Sequence, residues 1–240
     1  MRPHLMTLPT ITLLTTTLST IVATCTATLF GAGQIRTKEN LDLPYDALGD
    51  TATEEEAPEV VVFYNQSYEG DGFFYCLDRS SSTCDGDIEI EKRETINNIS
   101  EFSPRVHYGV VFYDQGLMKF PSSGRPMKAT PIGKSAGISF VSSVGCGRDT
   151  CVQKGLLASI ELANFSPAKR NVIIYLGDGG TTCPGADPHA YAQHTLRMVK
   201  ARNVKRFAIH STHVGGGDTS FSKALAQQNG GQCRPPDLPR

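Results

Sequence analysis

The sequence has almost no net charge: 23 Lys and Arg against 24 Asp and Glu leave −1 at neutral pH. No basic field is available to hold nucleic acid or an anionic membrane surface. Its 7 cysteines include no C-x-x-C pair, which withdraws support from a zinc ribbon or a thioredoxin-like centre. Charge of either sign is also missing from Leu5 to Gly33, and Arg2 stands just before that stretch. A basic start followed by an apolar run reads as a secretory signal or as an uncleaved N-terminal anchor. The many threonines weaken it as a membrane span, and Ala27, following small residues, suits the end of a cleavage site. Thr24 before Cys25 fits a lipoprotein signal poorly, and Pro9 with so many β-branched residues disfavours one long soluble helix. The protein is therefore expected outside the cytoplasm, secreted or periplasmic. Membrane attachment follows only if the N-terminal segment is retained as an anchor.

Loss of Cys25 with a leader would leave six cysteines in an oxidising compartment, where disulfides form. Six cysteines allow fifteen pairings, and spacing does not choose among them. Residues 34–58 are polar, carry Glu54, Glu55 and Glu56, and show no hydrophobic period, as a solvated linker does. A folded domain is expected over 59–232, followed by a tail at 233–240.

From Glu59 onward short apolar runs alternate with helical patterns. Strands are predicted at Val60 to Tyr64, Phe73 to Leu77, Val106 to Tyr113, Leu117 to Phe120, Val172 to Leu176 and Phe207 to Ile209, with a turn region over Asn65 to Gly72. Helices are predicted from about Asp87 to Phe102 and around Val152, Leu156 and Ile160. Others should carry Ile132, Ala136, Phe140 and Val144; Ala192, Leu196 and Val199; and Phe221 with Leu225. The alternation implies an α/β, doubly wound, mostly parallel central sheet with one antiparallel edge strand and helices on both faces. In such sheets ligands bind beyond the carboxyl ends of the strands. Function is therefore to be sought after Leu77 and Leu176.

Those positions hold Asp78-Arg79-Ser80-Ser81-Ser82 and Asp178-Gly179-Gly180, while Thr150 stands before the helix of Val152 and Leu156. Two carboxylates and three hydroxyls form an all-oxygen set of the kind preferred by a hard cation such as Mg²⁺. With hydroxyls in the inner shell the ion would keep much of its charge and seek an external anion.

Asp-x-Ser-x-Ser after a buried strand, a distant Thr at a helix start and Asp-Gly after a later strand resemble the metal-ion-dependent adhesion site of von Willebrand factor A-type (vWA) and integrin I-type domains. The resemblance covers about residues 59–230, and Phe63 to Ser82 resembles the lead-in of exported bacterial vWA proteins. It implies that Ser80 and Ser82 bind Mg²⁺ or Mn²⁺ directly. Asp78, Asp178 and Thr150 would act directly or through water. It also implies a protein or peptide ligand whose acidic residue completes the coordination. The chain departs from the pattern at Asp149, where the family commonly has Gly. It departs again after Gly230-Gly231, where Gln232-Cys233-Arg234-Pro235-Pro236 can supply only a stub of a last edge strand. Cys84, Cys146, Cys151 and Cys183 should lie near the metal face, whereas Cys76 reads as a core residue.

Other signals are weaker. Gly133-Lys134-Ser135-Ala136-Gly137 matches a nucleophile elbow, but Pro131 precedes it and no strand leads in. A Walker loop fails because Lys128 stands where its first Gly must lie. His210 and His213 read as exposed loop residues at the rim of the metal face, with Arg79, Tyr113, Asp114 and Arg148 around the ion. Asn65, Asn98 and Asn164 begin Asn-x-Ser sequons. No base–nucleophile pair emerges beside the site, so the expectation is a binding domain and not an enzyme. The alternatives are a scaffold domain with a loop-stabilising cation and, more remotely, a Mg²⁺-dependent hydrolase.

Overall fold

A computed structural model of the chain describes residues 57–214 and 218–234. The predicted signal segment, nearly all of the 34–58 linker and most of the tail lie outside the described residues. No described helix is long and apolar enough to cross a membrane.

The chain enters through strands β1 (Glu59–Phe63) and β2 (Gln66–Gly70), paired antiparallel with Val61 opposite Tyr68. This hairpin replaces the turn expected over 65–72. Its tight turn uses Tyr64 and Asn65, both at positive φ (51° and 57°), the geometry that matches strand twist in a two-residue loop. The alternating burial of Gln66, Tyr68 and Gly70 is a strand pattern that the Gly and Asp content had masked.

The main sheet runs in the order β5-β4-β3-β7-β8-β9. Its members are β3 (Gly72–Asp78), β4 (His107–Tyr113), β5 (Leu117–Phe120), β7 (Asn171–Gly177), β8 (Ala208–His213) and β9 (Cys233–Arg234). Short β6 (Met127–Lys128) lies antiparallel against the start of β4, and β5 lies antiparallel against its end, so two pieces make up the antiparallel edge. All other pairings in this sheet are parallel. The two-residue β9 is the expected stub, and it carries the sheet two residues into the segment 233–240 expected as tail.

Helices α1 (Asp87–Glu101) and α2 (Pro131–Ser143) cover one face; α3 (Val152–Asn164), α4 (Pro188–Arg202) and α5 (Ser220–Gln228) cover the other. Alternate residues of β3 feed the two cores: Phe73, Tyr75 and Leu77 face α1 and the hairpin, while Phe74 and Cys76 face α3. Both α2 and α4 begin with an N-cap followed by Pro at the first helical position. Thr130 Oγ1 accepts from Gly133 N at 3.2 Å, and Asp187 Oδ1 accepts from Ala190 N at 2.8 Å.

One helix face differs from expectation. Of the stripe expected on α2, Phe140 and Val144 do pack on the core, but Ile132 (84% exposed) and Ala136 face outward, and the first turns of the helix bury Gly133 and Gly137 instead. Gly133 lets the helix settle onto Lys128 of β6, and Gly137 lets it settle onto Tyr108. A Cβ on Gly137 would fall 2.2 Å from the Tyr108 hydroxyl, which itself donates to Gly133 O at 2.7 Å. Close approach, and not side-chain size, chose the buried face.

Candidate functional site

Strands β3 and β7 are parallel neighbours with Leu77 opposite Leu176, so Asp78 and Asp178 leave the same end of the sheet side by side. Three loops meet there: 78–84 after β3, 145–151 between α2 and α3, and 178–183 after β7. The first two are joined by backbone hydrogen bonds from Ser81 N to Arg148 O (2.7 Å) and from Gly147 N to Arg79 O (2.5 Å). A Cys84–Cys146 disulfide ties the same pair, and Cys151–Cys183 ties the second loop to the third. All four cysteines expected near this face are therefore cross-linked around it, and Cys76 is a buried core thiol as expected.

Asp78 is completely buried. Its Oδ1 accepts from Ser80 N at 2.8 Å and its Oδ2 from the Tyr113 hydroxyl at 3.1 Å. Ser80, also fully buried, stands 3.0 Å from Ser82 through their Oγ atoms. Thr83 Oγ1 donates to Ser80 O at 2.8 Å and fixes the short helical turn Ser81–Thr83. Thr150 is buried next to Cys151, whose amide donates to Asp114 O at 3.3 Å. Asp178 Oδ1 accepts from Gly180 N at 2.8 Å across a turn in which Gly179 takes φ +76°. The structure thus links Asp78 to Ser80 and Ser80 to Ser82 by hydrogen bonds. It sets Thr150 and Asp178 on the two loops linked to theirs.

Burial pushes the Asp78 carboxyl up to about 6; its hydrogen bonds with Ser80 pull the other way, and the charge of Asp178 adds to the rise. No Lys, Arg or His among the described residues pairs with it. Arg79, next in sequence, turns away to Asp114 at 2.9 Å and to Gly145 O at 3.2 Å. A buried carboxylate, a second one near enough to repel it and clustered hydroxyls make an anionic oxygen-lined site that lacks a cation from the protein itself. That fits a divalent ion. Among the described residues no three His, Cys, Asp or Glu side chains are placed to hold a metal ion between them, so the fit rests on hydroxyls as much as on carboxylates.

Several expected rim residues lie elsewhere. Tyr113 is fully buried beneath the site, stacked on Tyr175, and Gly177 leaves room for both hydroxyls. Asp114 is 6% exposed and spent on Arg79 and on the amides of Gly116 and Arg148. His210 and His213 are strand residues of β8, not loop residues, because the strand runs four residues past Ile209. His213 is buried with neither ring nitrogen hydrogen-bonded. Asp149 accepts from Gln115 Nε2, and Ser135 is an exposed residue inside α2, where no nucleophile elbow exists. Asn98 is no exposed sequon: its amide donates to Val62 O and its Oδ1 accepts from the Tyr75 hydroxyl.

Sequence reasoning missed Glu91. It is fully buried in α1, neither carboxyl oxygen has a hydrogen-bond partner, and burial first, then the charges of Asp78, Asp87 and Asp178, drive its pKa well above the usual carboxylate range. The signal was present: Glu91 sits on the stripe of Ile88, Thr95, Asn98 and Ile99 that α1 turns inward. A groove of about 910 Å³ lined by Leu157, Ile160, Ala201 and Val204 lies away from the three loops, and none of the five candidate residues lines it.

No family model and no curated protein matches the sequence. Solved structures do match in fold. A von Willebrand factor type A protein from Catenulispora acidiphila aligns with a TM-score of 0.62 at 14% identity, over 76% of this chain and 47% of that one. The chain therefore spans about half the length of that protein. The conserved hypothetical protein BatB from Bacteroides thetaiotaomicron aligns at 0.53 and 13% identity, over 71% of this chain and 92% of its own. The vWF domain of the type V pili tip protein Mfa5 from Porphyromonas gingivalis aligns at 0.51 and 11%, over 69% and 89%.

Proposed function

The chain has a von Willebrand factor A-type fold, and on that fold we propose that it is an exported, divalent-cation-dependent protein-binding domain. Asp78, Ser80, Ser82, Thr150 and Asp178 would hold Mg²⁺ or Mn²⁺. The observation that carries this reading is the fully buried Asp78 carboxylate, set beside Asp178 and two touching serines with no cationic side chain paired to it.

The residues divide the work. Ser80, Ser82 and Thr150 offer neutral oxygens, which leave a hard cation most of its charge. Asp78 has both oxygens engaged by Ser80 N and Tyr113, so it is held in one orientation and its charge acts from a fixed place. Asp178 is likewise fixed by Gly180 N. A bound ion supplies a positive centre that an acidic side chain of a protein or peptide ligand completes. The type V pili tip protein agrees with a role in protein interaction outside the cell, and the two disulfides agree with an oxidising compartment. A purely loop-stabilising cation is the weaker reading, because disulfides and backbone hydrogen bonds already join those loops.

The test is capture of immobilised peptides carrying Asp or Glu, compared with Asn or Gln counterparts, in Mg²⁺ and in EDTA. Binding to the acidic set alone, lost in EDTA and in Ser80→Ala, Ser82→Ala, is the expected result. Binding indifferent to EDTA, or equal for acids and amides, would refute the reading.

A further inference from the structure

We propose that the Cys84–Cys146 disulfide is a thiol–disulfide exchange site through which a dithiol reductant weakens the cation site; this rests on the reading just given. Cys84 lies two residues beyond Ser82, and Cys146 four residues before Thr150, so this bond clamps the two loops that carry all three hydroxyl ligands. The two cysteines are 62 residues apart in sequence. With the bond cut, the pair is held by the Ser81–Arg148 and Gly147–Arg79 backbone hydrogen bonds and the Arg79 contacts to Gly145 and Asp114.

The two disulfides differ in access. Cys84 and Cys146 are both exposed, whereas Cys183 is half-buried and Cys151, 2% exposed, is packed at the start of α3. Exchange requires in-line approach of a thiolate to a sulfur, so access decides which bond reacts first. A thiolate of the dithiol attacks one sulfur of the Cys84–Cys146 bond and forms a mixed disulfide as that bond breaks. Its second thiol then displaces the remaining cysteine. Two electrons and two protons pass to Cys84 and Cys146, and the reagent leaves as its own disulfide. The two-faced core and the Cys151–Cys183 bond do not depend on this clamp, so the domain stays folded. What is lost is the fixed placing of Ser80 and Ser82 relative to Thr150. Supports that orient metal ligands are worth about 10–100-fold in affinity.

The experiment uses the intact oxidised protein with its free thiols blocked beforehand. Graded dithiothreitol, alkylation and peptide mass spectrometry identify the order of reduction. Mn²⁺ binding is followed by electron paramagnetic resonance after desalting. Cys84 and Cys146 should be labelled while Cys151 and Cys183 remain joined. At that stage Mn²⁺ affinity should fall by about 10-fold and return on reoxidation. The Cys84→Ser, Cys146→Ser variant should show the lowered affinity with no response to dithiol, its fold checked by near-ultraviolet circular dichroism. Reduction of both disulfides together, or unchanged Mn²⁺ affinity after selective reduction, would overturn the proposal. Failure of the oxidised protein to bind Mn²⁺ would overturn the cation reading itself, and is recognised in the first arm.

Discussion

Tyr113 and Asp78 are paired residues at the ends of two adjacent parallel strands, and the Tyr113 hydroxyl donates to Asp78 Oδ2 at 3.1 Å. The phenol is buried, stacked on Tyr175, and leaves the carboxylate no freedom to rotate. Tyr113→Phe keeps the ring and its stacking while removing that donor. Mn²⁺ affinity should fall by about 10-fold, measured by calorimetry, with thermal stability in EDTA little changed. Unaltered affinity would show that Asp78 is held well enough by Ser80 N alone.

Stability without metal should depend on pH through Asp78. Its folded-state pKa is raised from 3.8 to about 6, so the proton is bound more tightly in the folded chain. The resulting stabilisation is fully present below the unfolded value and is lost as pH rises through about 6, amounting to about 3 kcal/mol at most. Urea unfolding in EDTA between pH 4.5 and 7.5 should show this trend in the native protein relative to Asp78→Asn. Excess Mg²⁺ should remove most of the loss above pH 6, because the ionised carboxylate is then the favoured form. Identical pH profiles for the two proteins would contradict the assignment.

Glu91 offers a separate test of buried polarity. Its carboxyl lacks any hydrogen-bond partner, and a polar group buried in that state costs about 1–3 kcal/mol. Glu91→Met, similar in length and apolar, should raise the free energy of unfolding by an amount in that range. A loss of stability would show that the carboxyl has a partner, such as an ordered water, that the Met removes.

The face of α2 can be checked with two substitutions. Gly137→Ala places a methyl against the Tyr108 hydroxyl and should cost about 1–3 kcal/mol, despite the better helix propensity of Ala. Ile132→Ser, at an exposed position, should change stability by no more than about 0.5 kcal/mol. The reverse order would restore the face that periodicity suggested.

These cases show where the sequence was readable. Continuous apolar runs such as Phe73 to Leu77 and Val172 to Leu176 announce central parallel strands, since burial on both faces leaves no polar alternation. The candidate site stood out as a pattern of residue types at strand ends, and β3 does end at Asp78 and β7 just before Asp178. Periodicity failed on the first half of α2, at Ile132 and Ala136, because the glycines that mark its buried face there carry no hydrophobic signal. It failed on β2 because a turn with Tyr64 at positive φ has no common composition. The burial of Tyr113, Asp114 and His213 was not legible either, as it depends on neighbours distant in sequence: Tyr175, Arg79 and the turn at Gly179.

Thermal unfolding of the protein in EDTA and in Mg²⁺ or Mn²⁺, beside the Asp78→Ala, Ser80→Ala variant, tests the cation site most directly. Metal at ~100 times its dissociation constant should add roughly 2.7 kcal/mol to the folded state. For a domain of this size that is about 2–4 °C per kcal/mol, a rise of several degrees. A rise in the native protein that disappears in the variant is the result expected here. No rise in the native protein, or an equal rise in the variant, would contradict a cation held by Asp78, Ser80, Ser82, Thr150 and Asp178.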